Sequence, residues 1–263
     1  MKTIIIIPAR YASTRYPGKP LAMLRLPDGQ NKSLIQLSYE TACKANGIDS
    51  VYVATDDTRI QSAAHAFGAQ VIMTSSDCSN GTARCADAMM RAKLEADLFI
   101  NLQGDAPLTP EWFVEDLMDE MRQNKIVQMA TPVLKVDPHT YGHFKDDRSH
   151  GRVGGTTAVF DKFGHALYFS KEVLPFLNEE NLLDPKDIPV YHHVGIYAYR
   201  PEALRAYTNW PEGPLEKLEG LEQLRFLENG QKVKCVEVDG KGRVFWELNN
   251  PEDVKRIEQV LGN

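Results

Sequence analysis

The chain has 263 residues, 43% of them hydrophobic, enough to bury a substantial core as one large α/β domain or as a domain with a smaller inserted part. A formal net charge of -6 excludes a broadly basic nucleic-acid-binding surface, because gripping a phosphate backbone needs a concentrated positive field. No apolar stretch approaches the length that spans a bilayer, and Cys43, Cys78, Cys85 and Cys235 lack redox-pair or zinc-knuckle spacing, so a soluble cytoplasmic protein with free thiols is expected.

The first element is the aliphatic run Ile4 to Ile7, short and continuous as a central parallel strand covered on both faces should be. It feeds into Pro8-Ala9-Arg10-Tyr11-Ala12-Ser13-Thr14-Arg15-Tyr16-Pro17-Gly18-Lys19-Pro20. In open α/β sheets ligands bind beyond the carboxyl ends of such strands, so Arg10, Arg15 and Lys19 are expected to face the crevice. Guanidinium forks grip phosphate oxygens bidentately and an ammonium adds a mobile point charge, which suits a polyphosphate. Arg10, Arg15 and Lys19 are thus the candidate phosphate-binding residues here, with a solvated basic turn the alternative. The loop is not a P-loop, since Gly18-Lys19-Pro20 lacks the earlier glycine and the hydroxyl of that motif.

A helix is predicted over Ser33 to Asn46, a strand over Val51 to Thr55, a helix over Thr58 to Phe67 and a strand over Gln70 to Met73. Gly81 to Lys93 reads as a helix, Leu98 to Leu102 as a strand, Pro110 to Gln123 as a helix and Ile126 to Val133 as a strand. This alternation predicts a mostly parallel sheet in a three-layer α/β/α arrangement. Between Lys135 and Gly155 apolar periodicity is lost among His139, His143, His150 and several glycines, and a mobile excursion is expected. Strands return at Thr156 to Phe160 and His193 to Tyr199, joined by an irregular link. Helices follow at Pro201 to Tyr207 and Leu215 to Asn229, then a strand at Val233 to Val238. A last helix, Pro251 to Leu261, has Asn250 as its candidate cap.

Asn101-Leu102-Gln103-Gly104-Asp105-Ala106-Pro107 closes a strand at the same carboxyl edge as the cationic loop. Asp105 can hold Mg²⁺, which is usually bound by one or two carboxylates plus substrate phosphates. A plain β-turn is the alternative there. Asn80-Gly81-Thr82 precedes a helix whose first amides can meet ligand oxygens, with Arg84 on its first turn; Thr82 as a simple cap is the alternative.

Pro-Ala-Arg-x-x-Ser-x-Arg-x-Pro-Gly-Lys-Pro in the first loop resembles the opening signature of the CMP-Kdo synthetases (3-deoxy-manno-octulosonate cytidylyltransferases). Gln103-Gly104-Asp105-Ala106-Pro107 and Ser79-Asn80-Gly81-Thr82-Ala83-Arg84 are similar to further motifs of that family. So are Ala166 to Lys171, His193 to Arg200 and Pro214 to Arg225. The resemblance spans nearly the whole chain and implies a Rossmann-like, glycosyltransferase-A-like nucleotidyltransferase fold. Residues 1–134 would form the nucleotide half, 135–238 the acceptor and dimerisation part, and 239–263 a return to the main sheet. It implies transfer of CMP from CTP to a 3-deoxy-2-ulosonic acid, with Mg²⁺ and a homodimer, for lipopolysaccharide or capsule synthesis. Arg10, Arg15, Lys19, Gln103 and Asp105 would carry catalysis. Pro8, Ala9, Arg10, Ser13, Arg15, Lys19, Thr55, Asp56, Asn80, Gly81, Thr82, Arg84 and Gln103 would make up the nucleotide site, with Asp56 as a helix cap the alternative. Gln103, Tyr168, His193, Tyr197, Glu216 and Glu222 would line the acceptor pocket.

Two departures stand out. Asn249 occupies the place of an aspartate that the resemblance assigns to the metal, leaving either Glu247 as a substitute two residues away or Asp105 to hold the metal with phosphates and water alone. Thr157 falls where the family carries a lysine. These keep two alternatives open: a modified acceptor such as 8-amino-Kdo, another ulosonic acid or a phosphonate, or a non-catalytic protein that binds CTP or a CMP-sugar. A dehydrogenase is disfavoured, since no Gly-x-Gly-x-x-Gly follows the first strand.

Overall fold

The computed structural model describes residues 1–12, 16–105, 107–153, 155–178, 180, 182, 184, 187–242, 248, 251 and 253–262. Strand β1 (Thr3–Ala9) is buried along its whole length, as its unbroken aliphatic run requires. A hairpin, β2 (Met23–Arg25) and β3 (Asn31–Ser33), then leads into α1 (Leu34–Lys44), which Ser33 caps through its hydroxyl. This hairpin is absent from the sequence reading, which starts the helix at Ser33. Next come β4 (Ser50–Thr55), α2 (Thr58–Ala66), β5 (Gln70–Met73), α3 (Gly81–Arg91), β6 (Leu98–Leu102), α4 (Glu111–Gln123) and β7 (Met129–Lys135), close to the expected bounds.

The loose stretch from Lys135 to Gly155 is not an irregular excursion. It contains α5 (Pro138–Ser149), with Asp137 accepting from the Thr140 amide at 2.6 Å and Pro138 in the first turn. Only Tyr141 and Phe144 of this helix are buried, against Val136, Ile188 and Val190. One such pair gives no sustained 3.6-residue pattern, but Asp137-Pro138 was a legible start signal.

The second half continues with β8 (Thr157–Phe160), β9 (Ala166–Ser170), β10 (Tyr191–His193), β11 (Ile196–Tyr199), α6 (Pro201–Tyr207), α7 (Pro214–Glu219), α8 (Leu224–Glu228), β12 (Lys234–Val238) and α9 (Asp253–Leu261). The expected strand from His193 to Tyr199 is broken at Val194 and Gly195, where the Ile196 amide turns back to the Val194 carbonyl at 2.7 Å. The expected helix from Leu215 to Asn229 is likewise split at Gly220, which adopts a left-handed φ of +63°.

Ten strands make one sheet in the order β5-β4-β1-β6-β11-β7-β10-β8-β9, with β12 also on β7. Strands β5, β4, β1 and β6 pair in parallel, as do β7 and β12, whereas β11 and β10 run antiparallel to their neighbours. Ile5, Ile7, Val51 and Val53 pack with Ile35, Ile60 and Leu117 on one face. Ile4, Ile6 and Phe99 pack with Met89, Leu204 and Phe226 on the other. Helices α1, α2 and α4 therefore cover one side and α3, α6 and α8 the other, which is the expected three-layer arrangement. Helix α9 folds back so that Ile257 joins Leu24, Leu34 and Leu248. No helix among the described residues is long and apolar enough to cross a membrane.

Candidate active site

Parallel pairing aligns Pro8 with Ala54 and Ala9 with Thr55, and Ile6 with Asn101, so the chain leaving β1, β4 and β6 emerges at one edge. Arg10 is exposed there. Ser13 and Arg15 lie outside the described residues. Lys19 follows Gly18, whose φ of +71° starts a single 3₁₀ turn with Pro20 inside it. That turn delivers Nζ of Lys19 to 2.6 Å from Oδ2 of Asp105, with side-chain exposures of 16% and 27%. The two most diagnostic motifs, 86 residues apart, thus meet. The Leu248 amide donates to the Asp105 carbonyl at 2.9 Å and ties the C-terminal segment to this corner. Glu247 and Asn249 lie outside the described residues.

Asp105 offers hard carboxylate oxygens, and the ammonium on it marks a position that attracts a cation. No group of three or more His, Cys, Asp or Glu ligands occurs among the described residues. This donor set fits Mg²⁺ completed by phosphate oxygens and water, and does not resemble a closed protein cage.

Around the start of α3, Asn80 is the cap, its Oδ1 accepting from the Ala83 amide at 2.9 Å. Thr82 is no cap: its hydroxyl meets Tyr199 Oη at 2.7 Å and its amide donates to Glu222 Oε2 at 2.9 Å. Gln103 Nε2 donates to Glu222 Oε1 at 3.1 Å. A Cβ on Gly81 would sit 2.8 Å from Gln103 Nε2, so the missing side chain is what lets this amide lie against the helix start. Arg84 is buried and reaches Thr74 Oγ1 at 2.6 Å and Asp56 Oδ1 at 3.2 Å. Asp57, not Asp56, caps α2, while Thr55 is buried and accepts from the Asp57 amide. Arg84 and Asp56 thus brace the strand edge from within.

Of the acceptor candidates, Tyr197 donates to Gln223 at 3.1 Å, and Tyr168 and Ser170 both reach Glu219. Buried His193 bonds Thr131 Oγ1 through Nε2 at 3.0 Å and packs against Phe169 and Tyr197. Burial pushes its imidazole down to about 3, so it is neutral at physiological pH. Glu216 is paired twice with Arg225, at 2.6 and 2.7 Å, and approaches Asn80 and Tyr207 at 3.4 Å. Thr157 is buried and donates to the Glu172 carbonyl at 2.6 Å, holding β8 to the turn after β9.

Tyr199, Gln223 and Arg225 stand out in the sequence only as parts of family-like segments, and Tyr207 only as the end of a predicted helix, because tertiary hydrogen bonds leave no local pattern. Asn101, noted only as part of the strand-closing motif, is fully buried two residues before Gln103, and neither of its amide atoms finds a hydrogen-bond partner among the described residues. Gln223 Nε2 is orphaned in the same way. Buried amides left unpaired are unfavourable, and their presence beside Gln103 and Tyr197 marks a polar, ligand-seeking interior.

Burial raises the Glu222 carboxyl to about 7, with nearby Glu216 adding to the effect and hydrogen bonds from Thr82 and Gly81 opposing it. Its folded value exceeds the unfolded one, so the native state holds a proton between about pH 4.5 and pH 7 that the unfolded chain has released. Stability should therefore fall as pH rises through that window, with the penalty complete above it. Urea titrations from pH 5 to 8 should show Glu222→Gln gaining on wild type as pH rises; parallel curves would refute the assignment.

Residues 4–233 match the model of the family described as cytidylyltransferase. A 3-deoxy-manno-octulosonate cytidylyltransferase of Maricaulis maris (strain MCS10) is 41% identical over 261 residues, covering 99% of this chain and 97% of the relative. An 8-amino-3,8-dideoxy-manno-octulosonate cytidylyltransferase of Shewanella sp. (strain ANA-3) is 41% identical over 263 residues, covering 99% of both. The solved structure of CMP:2-keto-3-deoxy-manno-octonic acid synthetase complexed with CTP aligns with a TM-score of 0.83 at 34% identity, covering 99% of this chain and 98% of that one.

Proposed function

The chain belongs to the cytidylyltransferase family and is a nucleotidyltransferase, and from that premise we propose that it couples CTP to Kdo, releasing pyrophosphate and supplying CMP-Kdo for lipopolysaccharide or capsule synthesis. The observation that carries the reading is the meeting of Lys19 and Asp105 at the carboxyl edge of β1 and β6. An anomeric hydroxyl attacks the α-phosphorus in line, and the protein contributes mainly position and charge. Lys19 and Arg15 hold the β- and γ-phosphates, while Arg10 and Gln103 orient the substrates. Pro8, Ala9, Ser13, Thr55, Asp56, Asn80, Gly81, Thr82 and Arg84 form or support the nucleotide site. Tyr168, His193, Tyr197, Glu216 and Glu222 form or support the acceptor side. Asp105, with Glu247, would hold Mg²⁺, which when bound neutralises charge developing on phosphate oxygens.

The protein is expected to work in the cytoplasm as a homodimer built through its second half. Exposed Phe163, Leu167, Phe176 and Leu218 in that half support the dimer.

Pyrophosphate release with CTP and Kdo tests the reading; sustained turnover is expected, with UTP, ATP and GTP poor donors. The 8-amino-Kdo relatives, as similar as the Kdo ones, favour 8-amino-Kdo as a second acceptor reading. Turnover confined to 8-amino-Kdo would select it. Binding of CTP that releases no pyrophosphate in the presence of any ulosonic acid would defeat both.

A further inference from the structure

Strand β1 ends at Ala9 and Lys19 lies further along the chain, so the position of Lys19 depends on contacts made outside the strand. Arg59 stands in the first turn of α2 with its guanidinium carbon 3.3 Å from the centre of the Tyr11 ring. Its orientation is fixed from behind. Asp57 accepts from Nε of Arg59 at 2.9 Å, from Nη2 at 2.6 Å and from the Arg59 amide at 2.9 Å. The same carboxylate is the cap of α2, so the fork is anchored to a helix start that the sheet holds.

The Tyr11 ring also lies against Gly18. A Cβ at Gly18 would come within 3.0 Å of Tyr11 Cε2, and the Gly18 amide donates to the Tyr11 carbonyl at 2.9 Å. Tyr11 therefore closes the loop on itself at Gly18, the residue before Lys19, and Lys19 is the side chain delivered to Asp105. An unbroken line of contacts runs from α2 through Asp57, Arg59, Tyr11 and Gly18 to the phosphate-facing ammonium.

Resting on the nucleotide-binding reading above, we propose that Arg59 and Tyr11 form a latch that sets the position of Lys19 for the CTP triphosphate. Arg59 is a positioning residue in this arrangement, acting through the Tyr11 ring and not on a phosphate. An isolated surface cation–π pair is weak. This one has both partners anchored, so part of the cost of fixing Gly18 and Lys19 is met before the nucleotide arrives.

The test is calorimetric titration of CTP, without acceptor, into wild type, Arg59→Ala, Tyr11→Ala, Tyr11→Phe and the Arg59→Ala/Tyr11→Ala double variant. Arg59→Ala should weaken CTP binding about fivefold, the equivalent of a cation–π contact of about 1 kcal/mol. Tyr11→Phe keeps the ring and should bind as wild type does. Tyr11→Ala should lose at least as much as Arg59→Ala, and the double variant no more than Tyr11→Ala, since the two residues act as one unit. Arg59→Ala binding CTP like wild type would overturn the latch. So would losses that multiply in the double variant, because Arg59 would then act on the nucleotide without Tyr11. A wild-type protein that fails to bind CTP would overturn the nucleotide reading and the latch with it, whereas normal wild-type binding with unaffected variants overturns the latch alone.

Discussion

Lys19→Ala is expected to lower turnover by about two to three orders of magnitude, the range seen when one preorganised charge-stabilising donor is removed from an active site. The pyrophosphate-release assay with CTP and Kdo reads it. The size follows from where Lys19 sits: its side chain is only 16% exposed, its Nζ is fixed 2.6 Å from Asp105, and its backbone is held in a 3₁₀ turn that contains the buried Pro20. A flexible surface lysine would lose rotamer freedom on meeting a phosphate, but this one has lost it already. Asp105→Asn should be comparably damaging through the opposite charge, since the amide keeps the shape and removes the carboxylate that the ammonium, and a metal, would need. Neither change should unfold the protein. Partly exposed ion pairs contribute about 0–1 kcal/mol, so melting temperatures should stay within a few degrees of wild type. Activity within fivefold of wild type in both variants would remove Lys19 and Asp105 from the catalytic machinery.

The same pair explains how much of the molecule was legible in advance. Ile4 to Lys19 and Gln103 to Asp105 could be read because strand burial, cation density and a strand-closing carboxylate are local properties, and α/β sheets bring strand ends together by rule. The parallel pairing of β1, β4, β5 and β6, though not their order, followed from alternation alone, and the family resemblance drawn from these motifs agrees with the family match across residues 4–233. Helix α5 escaped because two buried aromatics make no period, and the split of α7 from α8 escaped because the charge pattern runs on through Gly220. Caps were misjudged by small offsets. Asp57 caps α2 where Asp56 was considered, and Asn80 caps α3 where Thr82 was considered, because one or two residues of phase decide which side chain faces the free amides. What no local pattern could give was the partnership of Glu216 with Arg225, nine residues apart across a helix break.

That partnership should carry the largest stability effect in the molecule. Arg225→Met is expected to destabilise the fold by about 3–5 kcal/mol, because it strands the Glu216 carboxylate, whose side chain is 3% exposed, without its bidentate partner. Urea unfolding at pH 7 measures it; a loss below 1 kcal/mol would show the pair to be dispensable. The Arg225 guanidinium also lies 4.3 Å from the centre of the Tyr207 ring, and the Tyr207 hydroxyl accepts from the Asn80 amide group at 2.7 Å. Asn80 caps α3, so the ion pair is wired to the helix start that presents Gly81 and Thr82. Replacing both partners, as in Glu216→Leu/Arg225→Met, should recover much of the stability, since buried ion pairs are often no better than apolar pairs of similar volume. It should not recover CTP affinity, because Asn80 would still lack its neighbour. If stability and affinity return together, the pair is structural alone; if stability returns and affinity does not, the buried charges set the geometry of the nucleotide edge.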